Sequence, residues 1–171
     1  DPDHFELFKE MFSDTPVHID YSPDVKGVEI LSILKNIYAI AMGIVDAHYN
    51  SPNLRFLFLT KAFNEMKQIL IRYGGQAETM FNYCGYGDFT LTALNDLSRN
   101  RTLGLLIGKG FFTDNISDKV VLEGKIAVNV FCDEISKSNS IHCNLPIIGE
   151  LYELFNGEYK ISEFVNRVLN D

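Results

Sequence analysis

Three short stretches of this sequence carry side chains able to do chemistry. In the first, Lys35-Asn36 sits inside a long apolar run where, between Ile30 and Val45, Lys35 is the only ionisable group besides the Tyr38 phenol. An ammonium in such surroundings must be paired, lose its proton more readily, or reach water along its own methylenes. The second condition suits a general base near neutral pH, and the third describes an ordinary surface lysine.

The second stretch is Gly85-Tyr86-Gly87-Asp88-Phe89-Thr90-Leu91-Thr92. Its glycines permit positive φ and close backbone approach, so Asp88 and Thr92 could be presented to a ligand; the alternative is a plain interhelical turn with Asp88 as its N-cap. The third is Ser98-Arg99-Asn100-Arg101, which reads as a helix start. Free N–H groups, the positive end of a helix dipole and two guanidinium groups make a local anion site suited to a monophosphate. The same arginines would otherwise be solvated partners of surface carboxylates. His4, His18, His48 and His142 fall at no metal-ligand spacing, and no metal site is expected.

The elements that must position these groups are helices. Two adjacent apolar stripes run from Val25 to about His48 (Val28, Leu31, Tyr38, Met42, Val45 and Ile30, Leu34, Ile37, Ala41, Ile44), which predicts a helix buried on most sides. Further helices are expected over Pro52–Tyr73 (stopped by Gly74-Gly75), Gln76–Tyr83, Ser98–Ile107, Glu123–Ser138, Pro146–Phe155 and Ile161–Leu169. Before them, Pro2–Phe12 reads as a short helix and Val17–Tyr21 as a strand. The class is all-α by pattern.

With 15 Lys plus Arg against 23 Asp plus Glu, the net charge of −8 argues against a broad nucleic-acid or anionic-membrane footprint, so any phosphate must be held locally. Cys84, Cys132 and Cys143 are few and unclustered, which fits reduced thiols and a cytoplasmic location. Apolar runs are interrupted before membrane-spanning length, so no span is expected. The opening Asp1-Pro2-Asp3 is what a cut within a longer chain would leave.

Read in order, Gly27-Val28-Glu29-Ile30, Leu34-Lys35-Asn36-Ile37-Tyr38-Ala39-Ile40 and Gly43-Ile44-Val45-Asp46 resemble the start of the C-terminal domain of NAD(P)-dependent glycerol-3-phosphate dehydrogenases. The likeness continues through Thr60, Glu65-Met66, Gly85-Tyr86-Gly87-Asp88, Leu91-Thr92, Ser98-Arg99-Asn100-Arg101, Gly108-Lys109-Gly110, Glu123-Gly124 and Leu145-Pro146-Ile147. It implies a multi-helix bundle resembling the 6-phosphogluconate dehydrogenase C-terminal domain-like fold. Residues 1–22 would be the tail of an upstream Rossmann domain, and 23–171 the substrate-binding and dimerisation domain. By resemblance, Lys35 is the proton acceptor from the secondary alcohol of glycerol 3-phosphate, and Asn36, Asp88, Thr92, Ser98, Arg99 and Asn100 bind substrate. Arg99 and Glu123 reach the NAD or NADP that the upstream domain mainly holds. The reaction implied is the interconversion of sn-glycerol 3-phosphate and dihydroxyacetone phosphate, feeding glycerophospholipid synthesis, in a homodimer.

Two departures stand out. Where the family has small residues four and three positions before the lysine, this chain has Leu31-Ser32, whose side chains could crowd substrate or nicotinamide; a helical interaction module with a blocked cavity would carry the same change. The family's Thr-Arg-Gly is Thr60-Lys61-Ala62 here, which keeps the charge and loses the fork.

Overall fold

The structure is a computed structural model and describes residues 2–111, 125–133, 145–157 and 160–170. Helix α1 spans Pro2–Met11, α2 Val25–His48, α3 Pro52–Arg72, α4 Asp88–Leu94 and α5 Arg99–Gly108; α6 covers 125–133, α7 Pro146–Asn156 and α8 Ile161–Asn170. A short 3-10 turn (Ala77–Phe81) and a wide helical turn (Tyr83–Gly87) link α3 to α4. Among the described residues there is no strand, as an all-α pattern requires.

Helix α2 is the axis of the molecule and touches α3, α4, α5, α7 and α8. Its two apolar stripes are both used: Leu31, Leu34, Tyr38, Ala41, Met42 and Val45 are fully buried. This helix is long and apolar enough to cross a membrane by length and composition, contrary to the expectation that every apolar run stops short; most of its most apolar stretch is covered by the other helices. It begins where Asp24 accepts the Gly27 N–H at 2.9 Å, a capped first turn. The same carboxylate accepts the Thr79 hydroxyl and the Gln76 N–H, both at 2.7 Å, which bolts the connection after α3 to the start of α2. The Thr79 and Gln76 bonds hold the Asp24 carboxyl below its ordinary value, against the opposing effect of burial.

Helix α3 starts with Pro52 in its first turn and ends before Gly74, whose φ of 84° is the left-handed conformation expected of a glycine past a helix end. Helices α2 and α5 meet backbone to backbone. A methyl group on Gly104 would lie 2.0 Å from the Ile40 carbonyl oxygen, and one on Gly43 2.2 Å from that of Arg101. That proximity delivers the first turn of α5 to the middle of α2.

The expected strand at Val17–Tyr21 does not form; these residues are exposed or half-buried and make no ladder. A strand needs a partner for its N–H and C=O groups, and none of the described residues supplies one. Helix α1 likewise leaves Leu7, Phe8 and Met11 exposed, with the Phe5–Tyr21 ring contact at 5.6 Å joining it to the segment just before α2.

Glu65 on α3 is buried and ties two further elements together. It accepts the Tyr38 hydroxyl at 2.8 Å and the backbone N–H groups of Ile147 (2.7 Å) and Ile148 (3.3 Å), so it satisfies the free donors at the start of α7. Burial pushes its pKa up from 4.5 to about 7, although all three donors pull the other way. A group whose folded pKa is raised contributes stability that is fully present below the unfolded value and is lost as pH rises through the folded one. Wild-type stability therefore falls by roughly 3 kcal/mol between pH 4.5 and about 7 through this residue alone. Urea unfolding of wild type and Glu65→Gln across that window checks this: the variant is expected to lose the slope. It should also be destabilised by about 1–3 kcal/mol at the acid end, because its amide N–H groups meet other donors.

Candidate active site on the central helix

Lys35 and Asn36 lie in the middle of α2, Asp88 opens α4, and Arg99 and Asn100 form the first turn of α5. These three elements bring together residues that are 53 and 64 positions apart in sequence. Lys35 Nζ donates to Asp88 Oδ2 at 2.5 Å, with the two side chains 22% and 38% exposed. Pairing is thus how the molecule accommodates an ammonium on its central helix, and both partners remain reachable from solvent. Asp88 is no N-cap; it is inside the helix, and its side chain is turned to Lys35.

One helical position further on, Asn100 Nδ2 donates to Asn36 Oδ1 at 2.8 Å, and Asn36 Nδ2 donates to the Ser32 carbonyl at 3.1 Å. Thr92 Oγ1 donates to the Asp88 carbonyl at 2.6 Å, which spends its proton within α4 and leaves its lone pairs free. Ser98 caps α5 by accepting the Arg101 N–H at 3.3 Å. Arg99 is exposed and has no hydrogen-bond or ion-pair partner among the described residues, so its guanidinium is free for an anion.

The anion site has one guanidinium where the tetrapeptide pattern offered two. Arg101 is 5% exposed and turns away from Arg99 into a network, donating from Nη2 to Asp46 Oδ2 at 2.7 Å and from Nη1 to Asp96 Oδ1 at 2.5 Å; its buried Nε has no partner among the described residues. Arg55 Nε also donates to Asp46, at 2.6 Å. The sequence shows only that Asp46, a carboxylate one residue past the apolar run, needs a cation nearby, and not which arginine supplies it.

Gly85 is required by proximity, with no positive φ at either Gly85 or Gly87. A methyl on Gly85 would sit 2.3 Å from the Met80 carbonyl oxygen, whereas Gly87 has ordinary room. Of the two larger residues before the lysine, Leu31 is fully buried in the core and Ser32 is exposed, with its hydroxyl bonded to the Glu29 carbonyl. On α3, Ala62 is fully buried and Thr60 is exposed. Glu123, Cys143 and His142 lie outside the described residues.

A cleft of about 480 Å³ opens at the N-terminal end of α2, lined among others by Tyr21, Val28, Glu29, Tyr83 and Cys84. It is separate from the Lys35–Asp88 pair but shares its supports. Glu29 lies about 10 Å before Asn36 along α2, and Cys84 is one turn before Asp88.

Residues 24–166 match the family described as NAD-dependent glycerol-3-phosphate dehydrogenase C-terminus. The chain belongs to that family. Its curated relatives include the glycerol-3-phosphate dehydrogenase (NAD(P)+) of Clostridium tetani, 35% identical over 169 residues, covering 95% of this chain and 48% of that protein. The enzyme of the same name from Methanothermobacter thermautotrophicus is 50% identical over 91 residues, 53% of this chain and 28% of that one. The crystal structure of glycerol-3-phosphate dehydrogenase from Coxiella burnetii has the same fold, with a TM-score of 0.83 at 24% identity, covering all of this chain and 52% of that one. The structure of DsGPDH from Dunaliella salina gives 0.78 at 20% identity, covering 31% of that chain. The chain thus spans about half the length, or less, of the proteins it matches.

Proposed function

We propose that this chain is the substrate-binding domain of a dehydrogenase that interconverts sn-glycerol 3-phosphate and dihydroxyacetone phosphate with NAD(P)(H), feeding glycerophospholipid synthesis. The observation that carries this reading is that the Lys35–Asp88 and Asn36–Asn100 pairs bring α4 and the first turn of α5, which bears the exposed Arg99, to neighbouring positions of α2.

In the reducing direction, protonated Lys35 polarises the ketone oxygen and gives it a proton; in the oxidising direction neutral Lys35 takes the proton of the secondary hydroxyl. Asp88 balances the ammonium and fixes its place. Arg99 and the N-terminus of α5 hold the phosphate, where the helix dipole and a forked guanidinium act together. Asn36 and Asn100 orient the remaining oxygens, with Thr92 as an acceptor and the Ser98 hydroxyl proton as a donor.

The dinucleotide supplies and accepts the hydride. The residues here fit it as the minor partner: Arg99 is exposed and unpaired among the described residues, and so is free to reach one of its phosphates. Glu123 is assigned to it by resemblance. An upstream Rossmann domain would hold most of it, with residues 1–22 as that domain's tail. The exposed apolar residues of α1 and the irregular segment at 17–21 support that division. We place the enzyme in the cytoplasm, on the thiols Cys84 and Cys132, neither of which is in a disulfide, and as a homodimer, on exposed Leu91, Leu94 and Leu97.

The test is Arg99→Ala in the complete dehydrogenase. The KM for glycerol 3-phosphate should rise by ~10–100-fold, the equivalent of the 1.5–3 kcal/mol of a charged hydrogen bond. The slow oxidation of unphosphorylated glycerol should not change. Equal effects on both substrates would remove Arg99 from the phosphate.

A further inference from the structure

Helix α5 starts directly after the turn at 95–98, so the facing of Ser98, Arg99 and Asn100 is set by whatever fixes that turn. Within it, the Ser98 N–H donates to the Asn95 carbonyl at 3.0 Å and the Leu97 N–H to Asn95 Oδ1 at 2.9 Å, bonds that shape the turn but do not attach it to anything else. The Asn95 N–H ties its start to the Leu91 carbonyl of α4 at 3.1 Å, and attachment to α2 comes from Arg101. Its guanidinium reaches back beneath the helix end to Asp96 in the turn and, with its other arm, to Asp46 on α2. The Asp46 side chain is 1% exposed and the Asp96 side chain 89% exposed, so one buried cation links a rigid internal carboxylate to one on the surface. Asp46 stands ~15 Å beyond Asn36 on the same helix, so α2 fixes both ends of the arrangement, holding Asn100 through Asn36 and the turn through Arg101.

We infer that Asp96 and Arg101 are positioning residues for the phosphate end of the substrate. They touch neither substrate nor cofactor and act by holding the turn from which Ser98, Arg99 and Asn100 are presented. This rests on the dehydrogenase reading above.

The test uses steady-state kinetics of the complete dehydrogenase with glycerol 3-phosphate. Because a displacement of about 1 Å can cost up to ~100-fold, Asp96→Asn is expected to raise KM by ~10-fold and leave kcat essentially unchanged. Arg101→Lys keeps the charge but not the fork that spans two carboxylates, and should shift KM in the same direction. Asp96→Glu restores the carboxylate and most of the wild-type KM, which a general packing role would not predict. Asp96 is itself exposed and the buried Arg101 keeps its bond to Asp46, so the thermal midpoint of Asp96→Asn should stay near wild type, and this variant decides the matter even where Arg101→Lys folds poorly. An unchanged KM in Asp96→Asn, or a loss of kcat alone, overturns the positioning role while leaving the dehydrogenase reading standing. A wild-type protein that binds NAD(P)+ but does not oxidise glycerol 3-phosphate removes both.

Discussion

Replacing Lys35 by alanine in the complete dehydrogenase is expected to lower kcat by ~10²–10⁴-fold, the range of a positioned proton-transfer group. The KM for glycerol 3-phosphate should change far less, since Arg99, Asn100 and the end of α5 remain. The side chain is held at 2.5 Å from Asp88 and is 22% exposed, so alanine removes a group that makes an ion pair at a solvent-facing edge and leaves the core of α2 intact. Circular dichroism of the variant should therefore match wild type. Lys35→Arg is the sharper control: it keeps a cation beside Asp88 but cannot give up its proton near neutral pH, and it should be nearly as inactive as the alanine variant. Turnover in Lys35→Arg close to wild type would show that charge suffices and that Lys35 moves no proton.

Asp46→Ala should be the most destabilising single change outside the purely apolar core, at about 3–5 kcal/mol in urea unfolding. Asp46 receives Arg101 at 2.7 Å and Arg55 at 2.6 Å, with 1% of its side chain exposed. Without it, Arg101 would be a buried cation with Asp96 as its remaining ion-pair partner, and its Nε already lacks a partner among the described residues. The Arg55 side chain is 30% exposed and can turn to water, so Arg55→Ala should cost under about 1 kcal/mol. Comparable losses in both variants would mean that the site depends on the whole cluster and not on the Asp46–Arg101 bond.

The helices of this fold were legible because their signals are local. The double apolar stripe of α2, Pro52 and Pro146 in first turns, Gly74 past a helix end and Ser98 as a cap each declare a boundary within a few residues. The resemblance assigned Lys35, Asn36, Asp88 and Asn100 to one substrate site without pairing them, and the Lys35–Asp88 and Asn36–Asn100 bonds came from the structure; composition alone left Lys35 free to be a surface lysine. Three features were not legible. The role of Arg101 depends on a carboxylate 55 positions away, and nothing in Ser-Arg-Asn-Arg separates its two arginines. The cap that Glu65 places on α7 comes from 82 positions before it. Leu31 faces the core while Ser32, its neighbour, faces solvent, a difference fixed by the helix rotation that α3, α4 and α5 impose together.

The misjudged strand at Val17–Tyr21 has a different cause. Alternation there is consistent with a strand, but a strand is a property of a pair, and among the described residues it has no neighbour.

The most direct measurement is the reduction of dihydroxyacetone phosphate by the complete protein with NADH or NADPH, followed by loss of the cofactor's absorbance. Turnover is expected with kcat/KM at or above ~10⁴ M⁻¹s⁻¹, and at least a hundredfold less with unphosphorylated dihydroxyacetone. A folded protein that binds the dinucleotide yet reduces neither ketone, or reduces both equally well, would contradict the account.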